Sequence, residues 1–368
     1  MNKWLNISLL ILLVASACSK VEVAPSSGGQ VSFRVGSYAV QTRAEGDPVP
    51  LGNVGINAFF SRGYLHAVGL MDEPQDFLGA TGETITYNGT DAWLPSHDYF
   101  WPKSPVSYVN FVSWYGVPTT PNPVTYSKVD GQWTAGFNLT DVTVDPSSDI
   151  LLADVAWRYN ANVNPATYNQ YNGVAQGVPT LFHHLLSQVC FVGALTKNSD
   201  TKVTWEVKVT NISLAGASGQ GSISLTNVDP GQNKTQAWSD IAWTNPSGNA
   251  AISAQNKTIT ALAGSAAPDT LIRWSSVLPQ SVTNDMVLTL NYEVTTKYGD
   301  TPSSPVRTVI EPVTRSVKLS DFSAAVSEWG IGQRITYSIK IDPDTKAITV
   351  IPEETDWIDQ PWYNLPVE

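Results

Sequence analysis

The sequence predicts an all-β protein built from two tandem β-sandwich domains. Three observations predict it: apolar residues recur with a period of two rather than 3.6, turn signals separate the apolar runs, and the chain has material for more than one core. The period is plain in Val31, Phe33 and Val35, and in Val203, Trp205, Val207 and Val209. It returns in Met286, Leu288, Leu290, Tyr292 and Val294, and in Ile335, Tyr337, Ile339 and Ile341. Each run sets one face of a strand into a core. Asn88-Gly89, Asp130-Gly131, Asn172-Gly173, Gly299-Asp300 and Pro343-Asp344 read as turns. At 368 residues, with 42% apolar residues and 13 tryptophans, the chain is large enough for two domains.

The first residues are an address. Lys3 gives a short cationic start, Leu5 to Ala15 is mostly apolar, and Ala15-Ser16-Ala17-Cys18 closes the run with small residues and a cysteine. Residues 1–17 therefore read as a signal peptide, too short to span a bilayer stably. The residues before Cys18 resemble a bacterial lipobox, in which the cysteine is acylated and becomes the first residue of the mature chain. Ala15 stands where a lipobox usually has Leu, so ordinary cleavage near Ala17 is the alternative. Residues 18–30 are polar, small and Gly-rich, as a flexible tether would be.

The folded body divides near residue 185. From 31 to 184 the strands are separated by long loops rich in Tyr, Trp, Asn and Pro; from 185 to 368 they are longer and alternate more cleanly. The best helix candidate is Asp321 to Glu328, with Ser320 as N-cap and Gly330 beyond its end. The cysteines are Cys18 and Cys190. With Cys18 acylated no disulfide is expected, and Cys190, inside an apolar run, reads as a small buried hydrophobe.

Composition and motifs exclude several functions. A net charge of -11 leaves no basic excess with which to release counterions from a phosphate backbone, so nucleic acid is not an expected partner. The histidines are His66, His97, His183 and His184, and none stands at metal-binding spacing. Adjacent His183 and His184 point to opposite faces of an extended strand and cannot clamp one metal; one of them is expected to be buried and hydrogen-bonded. Ser199-Asp200-Thr201-Lys202 matches the S-x-x-K of acyl enzymes but lacks a helix start, and reads as a hairpin turn. Asp342-Pro343-Asp344 lacks a third acidic ligand at calcium-loop spacing and reads as a type I turn. No catalytic residues, metal or cofactor are expected. The aromatic residues Trp93, Tyr99, Trp101, Tyr108, Trp114 and Tyr115 admit two readings: core and corner packing, or exposed faces that stack on sugar rings.

The order of several short motifs adds a family resemblance spread over nearly the whole chain. The pieces are the lipobox, an opening strand Val31-Ser-Phe-Arg-Val35 leading to Thr42-Arg43-Ala44, Tyr99-Phe100-Trp101-Pro102 followed by Val109-Asn-Phe-Val112, and Asp149-Ile-Leu-Leu-Ala153. His184-Leu-Leu-Ser-Gln-Val189, Ile348-Thr-Val350 and Trp357 complete the set. In this order they resemble the fimbrillin-like subunits of type V pili from Gram-negative anaerobes. The resemblance implies two transthyretin-like or Ig-like sandwich domains and export as a lipoprotein anchored to the outer membrane through Cys18. It also implies processing by an arginine-specific protease between Arg43 and Ala44, which removes the strand carrying Val31, Phe33 and Val35. The vacated groove then accepts a strand from another pilin subunit, and the assembled fimbria serves adhesion to a host glycan or protein receptor.

Strand exchange can also be argued from physics. A sandwich that loses an edge strand exposes a row of unpaired backbone groups and an apolar trough until another strand fills it. The donor candidate is the tail from Ile348, with Val350, Trp357, Ile358, Trp362, Tyr363 and Leu365; a tail packed on its own domain is the alternative. Pro352, Pro361 and Pro366 interrupt this tail, and proline cannot donate to a ladder, so shaft and tip positions both stay open. The other class of function is a monomeric surface lipoprotein that captures glycans through exposed Trp and Tyr. Asp269-Thr270-Leu271 also resembles a short bacterial O-glycosylation acceptor.

Overall fold

The structure is a computed structural model. It describes residues 30–37, 49–50, 58–67, 73–88, 93–100, 107–129, 132–154, 156–159, 178–200, 202–229, 234–235, 241–265, 267–299, 306–322 and 324–356. Cys18, Arg43, Ala44, Trp101, Trp357, Ile358 and Trp362 lie outside these residues.

The protein is all-β. In the N-terminal part a ten-stranded sheet closes on itself. The hydrogen-bonded circuit runs Ser107–Tyr115, Leu151–Ala153, Val178–His184, Phe33–Ser37, Trp93–Pro95, Glu83–Tyr87 and Ala58–Ala67, and the last strand pairs back with Ser107–Tyr115. Strict alternation builds the ring: Phe59, Val109, Phe111, Leu151 and Ala153 point into one core, while Tyr64, Val112, Trp114 and Leu152 point into another. Closure removes free edges along this path.

The outward-facing set is covered by a five-stranded sheet. It comprises Val124–Val129, Gln132–Thr143, Gln220–Asp229, Lys234–Thr235 and Trp243–Ser247. It takes strands from both sides of residue 185, so a division of the chain there runs through this sheet. Arg62 ties the two layers, donating to the Val124 carbonyl at 3.0 Å while pairing with Asp76, and Tyr64 stacks on Tyr126 at 4.3 Å.

Two four-stranded sheets face each other in the C-terminal part. One contains Asp269–Val277, Ser187–Leu195, Gln333–Ile341 and Ile348–Asp356; the other contains Ile252–Ile259, Val203–Ala215, Val287–Tyr298 and Arg307–Lys318. One core fills the space between them. Along Val203–Ala215 the buried positions change phase, from Val207 and Val209 to Ile212 and Leu214. A bulge against Val287–Tyr298, between Val209 and Asn211, produces the change.

The connection between the two parts is buried. Leu185 and Leu186 are fully buried; Leu185 donates to the Ile150 carbonyl and accepts from the Trp243 indole at 2.7 Å, and Leu186 accepts from Gly332.

The helix expected over Asp321 to Glu328 does not form. A 3-10 turn spans Leu319–Phe322, and Glu328–Trp329 pairs with Gln280–Ser281. Eight residues are too few to sustain a helix alone, and burial of Val326 and Trp329 claims the segment for the core. Asp200 accepts the N–H groups of Lys202 and Val203, while Thr201 lies outside the described residues, and the Asp342 stretch is a turn in which Asp342 accepts the N–H groups of Asp344 and Thr345. Cys190 is buried, its Sγ donates to the Ile272 carbonyl, and burial pushes the thiol up to about 11.

Candidate assembly interface

The leading strand Phe33–Ser37 is a stave of the ring. On one side it runs parallel to Val178–His184 over five pairs, from Phe33 opposite Val178 to Ser37 opposite Phe182. On the other side pairing is intermittent: Phe33 with Trp93, Gly36 and Ser37 with Val49–Pro50, and Gln30 with Phe100. Val31, Phe33 and Val35 are 0%, 2% and 6% exposed, so the predicted alternation is realised with all three inside the ring. Phe33 meets Phe59 and Phe111 edge-on at 5.7 and 5.5 Å. Each of these side chains contributes roughly 1.5 to 3 kcal/mol by leaving water. Without this strand, the ring would be open between Val178–His184 and Trp93–Pro95, over a trough walled by Phe59, Phe111 and Phe182.

A polar cluster sits beside the strand. Glu83, at the start of Glu83–Tyr87, is buried, and its carboxylate accepts hydrogen bonds from Ser96 and from Tyr99 at 3.1 Å and pairs with His97 at 2.9 Å. Burial opposes ionisation of Glu83, but the hydrogen bonds from Ser96, His97 and Tyr99 outweigh it and hold the carboxyl below its ordinary range. Burial, with the nearby Glu83 charge, pushes the Tyr99 phenol up to about 12. Sequence reading missed Glu83 because its partners are brought to it only by the fold.

Two of the motif pieces meet at the end of Val178–His184, the strand beside the leading one. His184 Nδ1 lies 2.6 Å from Asp149, and His183 Nε2 lies 3.1 Å from Asp154. The imidazoles point to opposite faces, as adjacent strand positions require, and His184 is the more buried. Gly116 makes room for this contact: its φ is +85°, and a Cβ there would lie 1.8 Å from the Asp149 carbonyl oxygen.

The aromatic candidates divide. Trp93 and Trp114 are 5% and 0% exposed and offer no face to a sugar, which corrects the glycan-stacking reading for both. Their positions on strands facing closed cores explain it. Tyr99 and Tyr115 are half-buried, and Tyr108 lies on Ser107–Tyr115. No group of three or more His, Cys, Asp or Glu that could hold a metal occurs among the described residues. No helix among them is long and apolar enough to cross a membrane.

At the other end, Ile348–Asp356 pairs with Gln333–Ile341 in full register, from Ile341 opposite Ile348 to Gln333 opposite Asp356. Val350 is buried in the C-terminal core and Ile348 packs against it. These two donor candidates therefore lie in their own sheet. Among the described residues this strand forms the outer limit of that sheet, and Pro352 stands opposite Tyr337.

The family model for fimbrillin-like proteins matches residues 71–357. The chain belongs to the fimbrillin-like family. This fimbrillin-like chain is also similar in structure to a fimbrial protein from Bacteroides vulgatus, at 15% identity with a TM-score of 0.54, covering 89% of this chain and all of that one. A candidate cell adhesion protein from Bacteroides uniformis aligns at 13% identity with a TM-score of 0.42, covering 89% of this chain and 99% of the other. Comparison with curated proteins gives no match.

Proposed function

We propose that this fimbrillin-like protein is a structural subunit of a cell-surface fimbria that serves adhesion, joined to other pilin subunits by strand exchange. In this reading residues 1–17 direct export, Cys18 carries the lipid that holds the precursor at the outer membrane, and residues 18–30 are the tether. The folded domains are residues 31–184 and 185–368, which share the five-stranded sheet between them. An arginine-specific protease cuts between Arg43 and Ala44, the segment with Val31, Phe33 and Val35 leaves, and another subunit's strand enters the ring. The protein acts as a structural element, with adhesion to a host glycan or protein as its output and no enzymatic step of its own.

The observation that carries the reading is the place of the leading strand. It fills one stave of an otherwise continuous ring, buries three apolar side chains, and among the described residues has continuous pairing along one side only. Its loss would leave both an apolar trough and a row of unpaired donors and acceptors, the two features that β-augmentation satisfies. Because Ile348 and Val350 serve their own core, the reading assigns donation to the tail beyond Asp356, with Trp357, Ile358 and Trp362 as inserted side chains.

The test is proteolysis of purified precursor. Trypsin-like cleavage at Arg43 should convert a monodisperse precursor into polymers visible by electron microscopy, and the Arg43→Ala variant should stay monomeric under the same treatment. Polymers of Arg43→Ala that still carry the leading strand would overturn it.

A further inference from the structure

We propose that Glu83 anchors a latch that holds the leading strand in the ring, a positioning role that deepens the strand-exchange reading and rests on it. The backbone of the 96–100 segment touches the start of the leading strand directly. Val31 donates its N–H to the Tyr99 carbonyl at 2.7 Å, Gln30 bridges to Phe100, and the Gln30 side-chain amide donates to Asp98 at 2.7 Å. The side chains of the same segment converge the other way, onto one carboxylate. Ser96, His97 and Tyr99 all meet Glu83, and the Ser96 N–H donates to the Thr84 carbonyl at 3.0 Å. The segment is thus a strap with two faces: its main chain grips the leading strand, and its side chains are pinned to the neighbouring strand Glu83–Tyr87.

The chemistry of the pin suits this task. Glu83 is 8% exposed at its side chain whereas His97 is 76% exposed, so the anchor is in the wall and the strap lies over it. Hydrogen bonds to an ionised, partly desolvated acceptor are about twice as strong as neutral ones, and a buried carboxylate deprived of donors is costly. Phe77, which packs at 5.9 Å from the Tyr99 ring, fixes the strap from a further side and touches Phe111 of the ring wall at 6.2 Å. On the 93–100 side the leading strand has, among the described residues, one ladder partner, Trp93, before the strap takes over. Holding the strap therefore holds the strand at the side where regular pairing is weakest, and loosening it frees residues 30 and 31, where peeling would begin.

Amide hydrogen exchange on the full-length chain tests the latch without requiring polymerisation. In Glu83→Gln and in Tyr99→Phe, the amides of residues 31–37 should exchange on the order of tenfold faster than in the parent, while those of residues 109–114 on the opposite wall keep their rates. The double variant should show less acceleration than the two single effects combined, because the Glu83–Tyr99 bond is common to both. Equal acceleration at 31–37 and 109–114, or no acceleration at 31–37 in either variant, would overturn the proposal. Tyr99→Phe removes only a half-buried hydroxyl and keeps the experiment decisive if Glu83→Gln fails to fold. In the same samples, cleavage at Arg43 should release the leading segment faster from the variants. If exchange responds as stated and cleavage never frees the segment, the latch stands and the assembly reading falls.

Discussion

Phe33 is the widest side chain of the leading strand and sits between Phe59 and Phe111, so its truncation leaves a cavity walled by rings that cannot collapse onto one another. Phe33→Ala should destabilise the N-terminal part by about 3 to 5 kcal/mol, whereas Ile351→Ala, at a position 44% exposed on the terminal strand, should stay within about 0.5 kcal/mol. Denaturant unfolding of the two variants checks the contrast. Glu83 gives a pH prediction whose sign follows from its lowered pKa. A carboxyl whose folded pKa lies below its unfolded one contributes stability above the unfolded pKa and loses it as pH falls through the folded value. The stability difference between the parent and Glu83→Gln should therefore be present at neutral pH and shrink on acidification below the ordinary carboxylate range; a difference that grows with acid would contradict the cluster's chemistry. At this scale the sequence was legible where one residue reports its own face. Val31, Phe33 and Val35 alternate with polar neighbours, and His183 next to His184 had to diverge. Glu83 was illegible because its partners lie 13 to 16 positions along the chain, and only the closing of the ring brings them together.

Strands behave as units whose phase must be kept. Along Val203–Ala215 the bulge between Val209 and Asn211 inserts one extra residue against the neighbouring strand, and it alone lets both Val209 and Ile212 face the core. Deleting Thr210 should leave Ile212 and Leu214 facing the core but force a register slip against Ile252–Ile259, where Val209 and Asn211 stand opposite Lys257 and Gln255 with no residue to spare. The expected result is loss of the cooperative thermal transition of the C-terminal sandwich, read by circular dichroism; an unchanged transition would show that the bulge is dispensable. The period of two made these strands visible in the sequence, but the bulge left no residue signature beyond the change of phase itself. The terminal strand shows a similar limit. Ile348 and Val350 read equally as core or as donor, because an apolar alternation records that a face is buried and not which molecule buries it. The helix expectation over Asp321 to Glu328 failed for a related reason. Capping residues mark where a helix could start, while Val326 and Trp329 were drawn into the sandwich core.

For the molecule as a whole, two cores on either side of the buried Leu185-Leu186 connection are joined by a third, which lies between the ring and the five-stranded sheet. Trp243 closes that joint by donating to the Leu185 carbonyl. Trp243→Ala should therefore lower the melting temperature and make limited proteolysis sensitive at the connection, since it removes both a large half-buried apolar body and the donor to the carbonyl of buried Leu185; unchanged proteolysis there would argue that the joint is held elsewhere. The most direct measurement of the central claim is the N-terminal mass of subunits taken from assembled fibres. The account predicts a chain that starts at Ala44, and fibre subunits that still begin at an acylated Cys18 would contradict it.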